Sequence, residues 1–138
     1  MSSKMQTKRL LRELTRLKQT QCPHISLQST DSLDTWLIDI KGVDSTLYEN
    51  ESFTLQFKFT REYPIEAPEV TFTGNVPLHP HIYSNGHICL SILYQHWSPV
   101  LTVDAICLSI LSMLNDVYIK KAGPSPKDTA WIFDDATV

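Results

Sequence analysis

The stretch Ser52-Phe53-Thr54-Leu55-Gln56-Phe57-Lys58-Phe59-Thr60 decides the fold class. Phe53, Leu55, Phe57 and Phe59 alternate with Thr54, Gln56, Lys58 and Thr60. A period of two marks a strand with one face on a core and the other in water. The same alternation runs upstream, where Trp36, Ile38 and Ile40 face away from Leu37, Asp39 and Lys41, and downstream in Val70 and Phe72. A weaker run, Ile25 to Gln28, precedes them. The turn signals between these segments are Lys41-Gly42 to Thr46 and Tyr63-Pro64 to Ala67-Pro68. Strands joined by such short connections predict an antiparallel meander with one face buried by a helix.

Two helical segments flank the strands and make the class α+β. Leu10, Leu14 and Leu17 recur at helical spacing with Leu11 alongside, and basic residues fill the other positions. This predicts an amphipathic N-terminal helix from about Ser3 to Gln19, ending before Pro23. Thr102 can cap a second helix with Asp104 in its first turn, running to about Asn115. It carries Val103, Ile106, Leu108, Ile110, Leu111, Met113 and Leu114, apolar nearly all round, and is expected to be the central core helix. Beyond Asp116 the pattern weakens: Gly123-Pro124-Ser125-Pro126 reads as a loop and Trp131 to Phe133 as a short docked end. The chain is thus expected to form one domain over residues 1–138, with 117–138 as a short, divergent tail.

Composition bounds the function. At 138 residues, 42% hydrophobic and 20% charged, the chain can form a core and is not a disordered polymer. A net charge of −3 argues against a general nucleic-acid binder. The charge is segregated: residues 1–20 hold six basic groups and one acid, a net of +5, while residues 21–138 hold six and fourteen, a net of −8. Three cysteines, Cys22, Cys89 and Cys107, with no CxxC spacing, suit free thiols in a reducing compartment. The N-terminus does not read as a signal peptide. The apolar run Val103–Leu114 is too short for a membrane span, which needs about 20 residues. A soluble cytoplasmic or nuclear protein with neither membrane nor nucleic-acid partners is expected.

Five of the eight prolines lie at 64, 68, 77, 80 and 99, so Gly74–Pro99 is a long irregular segment inside a regular domain. Loops of that length are usually functional. It contains His79-Pro80-His81-Ile82-Tyr83-Ser84-Asn85-Gly86-His87-Ile88-Cys89-Leu90, then Trp97-Ser98-Pro99. Local chemistry leaves three readings open. Cys89 is a nucleophile among polar neighbours; or His79, His81, His87 and Cys89 ligate a metal of zinc type, at a spacing that matches no standard finger; or three surface histidines flank a buried cysteine.

The ordered set of motifs resembles the ubiquitin-conjugating enzymes over about residues 5–116. It comprises Lys8-Arg9-Leu10 with Glu13-Leu14, Tyr63-Pro64 with Pro68, and His79-Pro80 ten residues before the cysteine. Ser84-Asn85-Gly86-x-Ile88-Cys89-Leu90-x-Ile92-Leu93 follows, then Trp97-Ser98-Pro99-x-Leu101 before an apolar helix. The resemblance implies a four-stranded antiparallel meander sheet with an N-terminal helix and a central core helix, the usual C-terminal helices being shortened or absent. It implies an enzyme without cofactor or metal. Cys89 would take the ubiquitin C-terminus as a thioester from an activating enzyme and pass it to an amine of a protein substrate, usually with a RING or U-box ligase bound. The rival is a non-catalytic relative serving as scaffold or ubiquitin-binding module.

By position the resemblance assigns Cys89, His81, His79 and Asn85 to the catalytic site, His79 chiefly as a structural residue. It assigns Lys8, Arg9, Arg12, Ile65, Ser98, Pro99 and Val100 to the surface that meets the ligase and activating enzyme. Cys22 and Cys107 are read as structural. Three departures stand out. The family's His-Pro-Asn is His79-Pro80-His81; Ser91 stands where an acid often follows the cysteine; and Val117-Tyr118-Ile119-Lys120-Lys121 replaces an acidic turn. His81 can donate in place of the asparagine, act as a base, or order the loop. The departures match one branch of the family, the W-type enzymes that modify protein N-termini. At pH 7 about 14% of an α-amine but only ~0.04% of a lysine is neutral. A site without lysine-activating acids therefore favours α-amines by a few hundredfold in available nucleophile.

Overall fold

The computed structural model describes residues 3–20 and 22–116. The chain runs α1 (Lys4–Gln19), β1 (Ile25–Ser32), β2 (Thr35–Lys41), β3 (Ser52–Lys58), β4 (Glu69–Thr73), a 3-10 turn at Ser91–Leu93 and α2 (Val103–Asn115). The strands form an antiparallel sheet in sequence order, β1-β2-β3-β4. Alternation sets the register: Trp36 faces Phe57, Ile38 faces Leu55 and Ile40 faces Phe53 across β2 and β3, and Leu55 pairs onward with Phe72 of β4. All of these side chains are buried and join the buried residues of both helices in one core. A ring series, Trp36–Phe59–Tyr63–Trp97, carries that core from the sheet to the loop before α2, with centroids 5.0, 4.7 and 6.0 Å apart.

The four-strand meander and its two helices are as expected. β1 is longer than its apolar run: it continues through Thr30 to Ser32, with register shifts after Leu27 and Ser29. Polar residues and bulges are how an edge strand avoids pairing with another sheet, and they erase the hydrophobic period. The central helix is not buried all round, since Leu108 is 50% exposed. The expected short tail and the shortened C-terminal helices lie at 117–138, outside the described residues.

Helix α1 begins at Ser3, whose hydroxyl accepts the Gln6 N–H. Its buried stripe is Gln6, Leu10, Glu13 and Leu17, with Leu14 only partly buried and Leu11 in solvent. Two polar residues therefore lie inside. Gln6 donates to the carbonyl of Thr60 at 2.6 Å. The Glu13 carboxylate accepts from Arg9 Nε at 2.8 Å, from the Tyr63 hydroxyl, and from the Val103 N–H at 2.6 Å. Val103 is the first residue of α2, so a negative charge meets the unpaired N–H groups and positive end of that helix. Arg9 Nη2 donates in turn to the Leu101 carbonyl at 2.8 Å, and its guanidinium lies over the Tyr63 ring. Breaking a buried pair by removing one partner costs about 3–5 kcal/mol. Glu13→Ala is expected to lower unfolding stability by an amount of that order in urea titration, whereas truncating the exposed Lys8 changes it by less than about 0.5 kcal/mol.

Candidate active site

The irregular segment contains a small hairpin. Ile82 pairs antiparallel with Ile88, the Cys89 N–H donates to the His81 carbonyl at 2.7 Å, and the Tyr83 N–H donates to the His87 carbonyl at 2.9 Å. Because side chains alternate along each arm, Ile82 and Ile88 point inward and are buried. His81, Tyr83, His87 and Cys89 then share the outer face: Tyr83, His87 and Cys89 are exposed and His81 is half-buried. His81 stands across from Cys89, its carbonyl bonded to the Cys89 N–H.

Three contacts fix the hairpin in place. The Asn85 Oδ1 accepts the His87 N–H at 3.1 Å, shaping the turn. Gly86 accepts the Phe72 N–H of β4 at 2.8 Å. Its φ is +93°, and a Cβ there would sit 2.1 Å from the Phe72 oxygen, so only glycine permits this approach. The Tyr94 hydroxyl donates to the Ile88 carbonyl at 3.2 Å.

His79 anchors the segment to α2. Its Nδ1 accepts the His81 N–H at 3.0 Å, which leaves the proton on Nε2, the atom 3.1 Å from the Met113 carbonyl. Met113 lies in the last turn of α2, where carbonyls lack helical partners. Burial holds the pKa of His79 below that of an ordinary imidazole, against the opposing pull of the Met113 hydrogen bond. Both ring nitrogens of His79 are thus engaged within the protein. Among the described residues no group of three or more His, Cys, Asp or Glu side chains could hold a metal ion. The thiols differ in the same way. Cys89 is exposed, Cys22 half-buried, and Cys107 buried, with its pKa pushed well up by desolvation.

The second group of residues lies at the other end of α2. Ile65 and Val100 are 58% and 81% exposed, and Pro99 is exposed. The Trp97 indole donates to the Pro64 carbonyl at 3.0 Å, tying the Ile65 loop to the Ser98-Pro99-Val100 loop. Lys8 and Arg12 of α1 are exposed. Arg9 differs: its side chain is only 16% exposed and its guanidinium is spent on Glu13 and Leu101. Glu13 itself was missed as an organising residue. The sequence signal was an acid on the apolar stripe of α1, in register with Leu10 and Leu17.

An exposed cysteine on a hairpin at one end of α2, with an apolar loop pair and a basic helix at the other, is the layout of an acyl-carrier enzyme with a separate docking face. A ubiquitin-conjugating enzyme family model matches residues 9–135, reaching past the motifs into the C-terminal segment. The chain belongs to the ubiquitin-conjugating enzymes. It is 50% identical to "Probable ubiquitin-conjugating enzyme E2 W" of Dictyostelium discoideum, over 95% of this chain and 96% of that one. It is 43% identical to "Ubiquitin-conjugating enzyme E2 W" of Caenorhabditis elegans, over 96% and 97%. The solved structure of ubiquitin conjugating enzyme E2 UbcA1 from Agrocybe aegerita superposes with a TM-score of 0.80 at 41% identity, covering 86% of this chain and 87% of that one. The protein is therefore an acyltransferase that works through a cysteine thioester, in company with ubiquitin, an activating enzyme and ligases.

The neutral burial of His79 has a measurable consequence. The folded protein binds fewer protons there than the unfolded chain. The stability this group contributes is complete above the unfolded imidazole pKa of about 6.5 and is lost as pH falls below it. His79→Gln, which keeps one donor and one acceptor but cannot be protonated, should flatten the fall in urea midpoint between about pH 7 and 5.

Proposed function

We propose that Cys89 carries the ubiquitin thioester and that the preferred acceptor is the α-amine of a protein substrate. The observation that carries the first part is exposure: of the chain's three cysteines, Cys89 alone is exposed, and it faces His81 across the hairpin. Its thiolate attacks the activated ubiquitin carboxyl, and the resulting thioester remains reactive toward amines. His81 takes the place of the family's asparagine. Its imidazole N–H donates to the thioester carbonyl oxygen as negative charge develops there, and donors aimed at such an oxygen are a large term in acyl transfer. Asn85 acts one step back by holding the turn, and His79 by holding His81. Ile65, Ser98, Pro99 and Val100 receive a RING or U-box ligase, with Lys8 and Arg12 at the rim of a surface shared with the activating enzyme. Arg9 serves that surface from beneath, by fixing α1 to the start of α2. The protein acts in the cytoplasm or nucleus.

Support for the α-amine comes from the surroundings of Cys89. Residues 70–103 contain no Asp or Glu, so the loop offers no carboxylate to hold a lysine ammonium or to draw off its proton. An α-amine is already neutral in part at pH 7, whereas a lysine almost never is.

Two measurements test the proposal. With activating enzyme, ATP and ubiquitin, the wild type should form an adduct cleaved by thiol, and Cys89→Ser an oxyester that thiol leaves intact. No adduct on either chain removes Cys89 from its role. Substrates with a free N-terminus should be modified at least about tenfold faster than the same substrates acetylated there, a conservative fraction of the difference in neutral amine. Equal modification of both removes the α-amine preference.

A further inference from the structure

Transfer to an amine raises a proton problem that the thioester-forming step does not. Once the nitrogen has bonded to the carbonyl carbon it carries one proton too many, and something must take it. The loop bearing Cys89 narrows the choice. Residues 70–103 lack Lys and Arg as well as Asp and Glu, and the titratable side chains besides Cys89 are Tyr83, Tyr94, His79, His81, His87 and His96. A phenol is protonated and a poor base at neutral pH, whereas an imidazole titrates there. His79 has both ring nitrogens engaged. His96 lies past the 3-10 turn, its N–H bonded to the Ser91 carbonyl. His81 is half-buried opposite Cys89, its ring 5.4 Å from that of His79, where it best serves the carbonyl oxygen.

His87 remains, and its mounting suits the task. It sits two residues before Cys89 on the same arm and the same outer face, with the buried Ile88 between them. Two extended residues span about 6.5–7 Å, so an imidazole at one end and a nucleophile at the other can both reach a group placed between them. Its backbone is held on both sides, the N–H by Asn85 and the carbonyl by Tyr83, and the residue pairs with Thr71 of β4. The side chain lines an open groove of about 290 Å³ with Thr60, Pro68, Glu69, Leu93 and Tyr94, so it stands where an acceptor can arrive from solvent. Among the described residues Glu69 is the one formally charged group in that groove; His81, Tyr83 and Cys89 are the titratable groups on the hairpin face.

We propose that His87 accepts the proton of the attacking α-amine. The inference rests on Cys89 being the thioester carrier. In the step, the neutral nitrogen attacks the thioester carbonyl and a C–N bond forms. The C–S bond breaks with its electron pair leaving on Cys89 Sγ as thiolate. The surplus proton passes from the nitrogen to the His87 imidazole, which releases it to water.

The test is single-turnover discharge of preformed thioester onto a lysine-free peptide with a free N-terminus. His87→Gln should slow discharge about 10²-fold, the lower end of what positioned proton transfer contributes. The pH profile separates this from a structural role. On the acid side the wild-type rate needs a neutral imidazole as well as a neutral amine, so log rate against pH rises with a slope near two; the variant needs only the amine, and its slope falls to one. Added imidazole should accelerate His87→Ala more than the wild type. Discharge of His87→Gln at the wild-type rate, an unchanged slope, or a slope change that appears in His81→Gln instead would overturn the proposal. A wild-type chain that never charges on Cys89 would overturn the thioester reading, a failure distinct from normal charging with normal His87→Gln discharge.

Discussion

The carboxylate of Glu13 holds three separate parts of the chain at one point: α1 through Arg9, the Tyr63-Pro64 segment through the tyrosine hydroxyl, and the start of α2 through the Val103 N–H. A buried charge is expensive to desolvate and is tolerated only when hydrogen bonds take up its lone pairs. Here each partner is supplied by a different element. None of those elements can shift without leaving the carboxylate under-bonded, so the requirement for satisfaction becomes a requirement for position. The exposed residues Ile65 and Val100 are carried on the two loops that this arrangement fixes, and the Trp97–Pro64 hydrogen bond closes the gap between them.

Helix α2 transmits that reference to the chemistry. Its first N–H is bound by Glu13, and a carbonyl of its last turn, Met113, is bound by His79. Thirteen residues at 1.5 Å each make a strut of about 20 Å. One end is held by Glu13 beside the Trp97–Leu101 segment and the other by His79, whose Nδ1 accepts the His81 N–H. The hairpin is fixed a second time from the sheet side, where Gly86 meets the Phe72 backbone of β4. The segment that carries Cys89 is thereby held through backbone contacts that leave the cysteine exposed.

The legible parts of this arrangement were those that obey a simple period. β2, β3 and β4 alternate cleanly because one face is core, and α2 declares itself by its cap and its apolar content. β1 was under-read because an edge strand hides its period behind polar residues and bulges. The hairpin around Cys89 was not readable as secondary structure, since three residues per arm are too few to show alternation, although Asn85-Gly86 is a turn signal. Burial of Gln6 and Glu13 ran against the usual assignment of such residues to solvent, and Arg9 followed Glu13 inward for the same reason. The motif spacing reads His87 as a metal ligand or as one of three surface histidines, not as a proton acceptor. What would have singled it out is a pattern of absence, the lack of any formally charged residue from 70 to 103.

That absence gives the charge segregation a second half. The basic residues of α1 are not all equivalent: Arg9 is committed to Glu13 and Arg16 pairs with Asp104 at 2.9 Å while staying largely exposed, and Lys4, Lys8, Arg12 and Lys18 are exposed along the helix. Long-range attraction of an acidic partner therefore acts along the whole exposed face of α1, where it accelerates encounter and is screened by salt over about 10 Å. Around Cys89 the opposite holds. Residues 70–103 carry no fixed cation or anion, and the carboxylates near that loop, Glu69 in the His87 groove and Asp116 near His79, belong to other elements. Under the proposed mechanism the acceptor is selected by its state of protonation, and an amine already partly neutral needs only a place for the proton it must still lose. On the proposed reading, α2 keeps the exposed Ile65 and Val100 loops at one end and the uncharged loop of Cys89 at the other, so partner docking and amine choice draw on different groups.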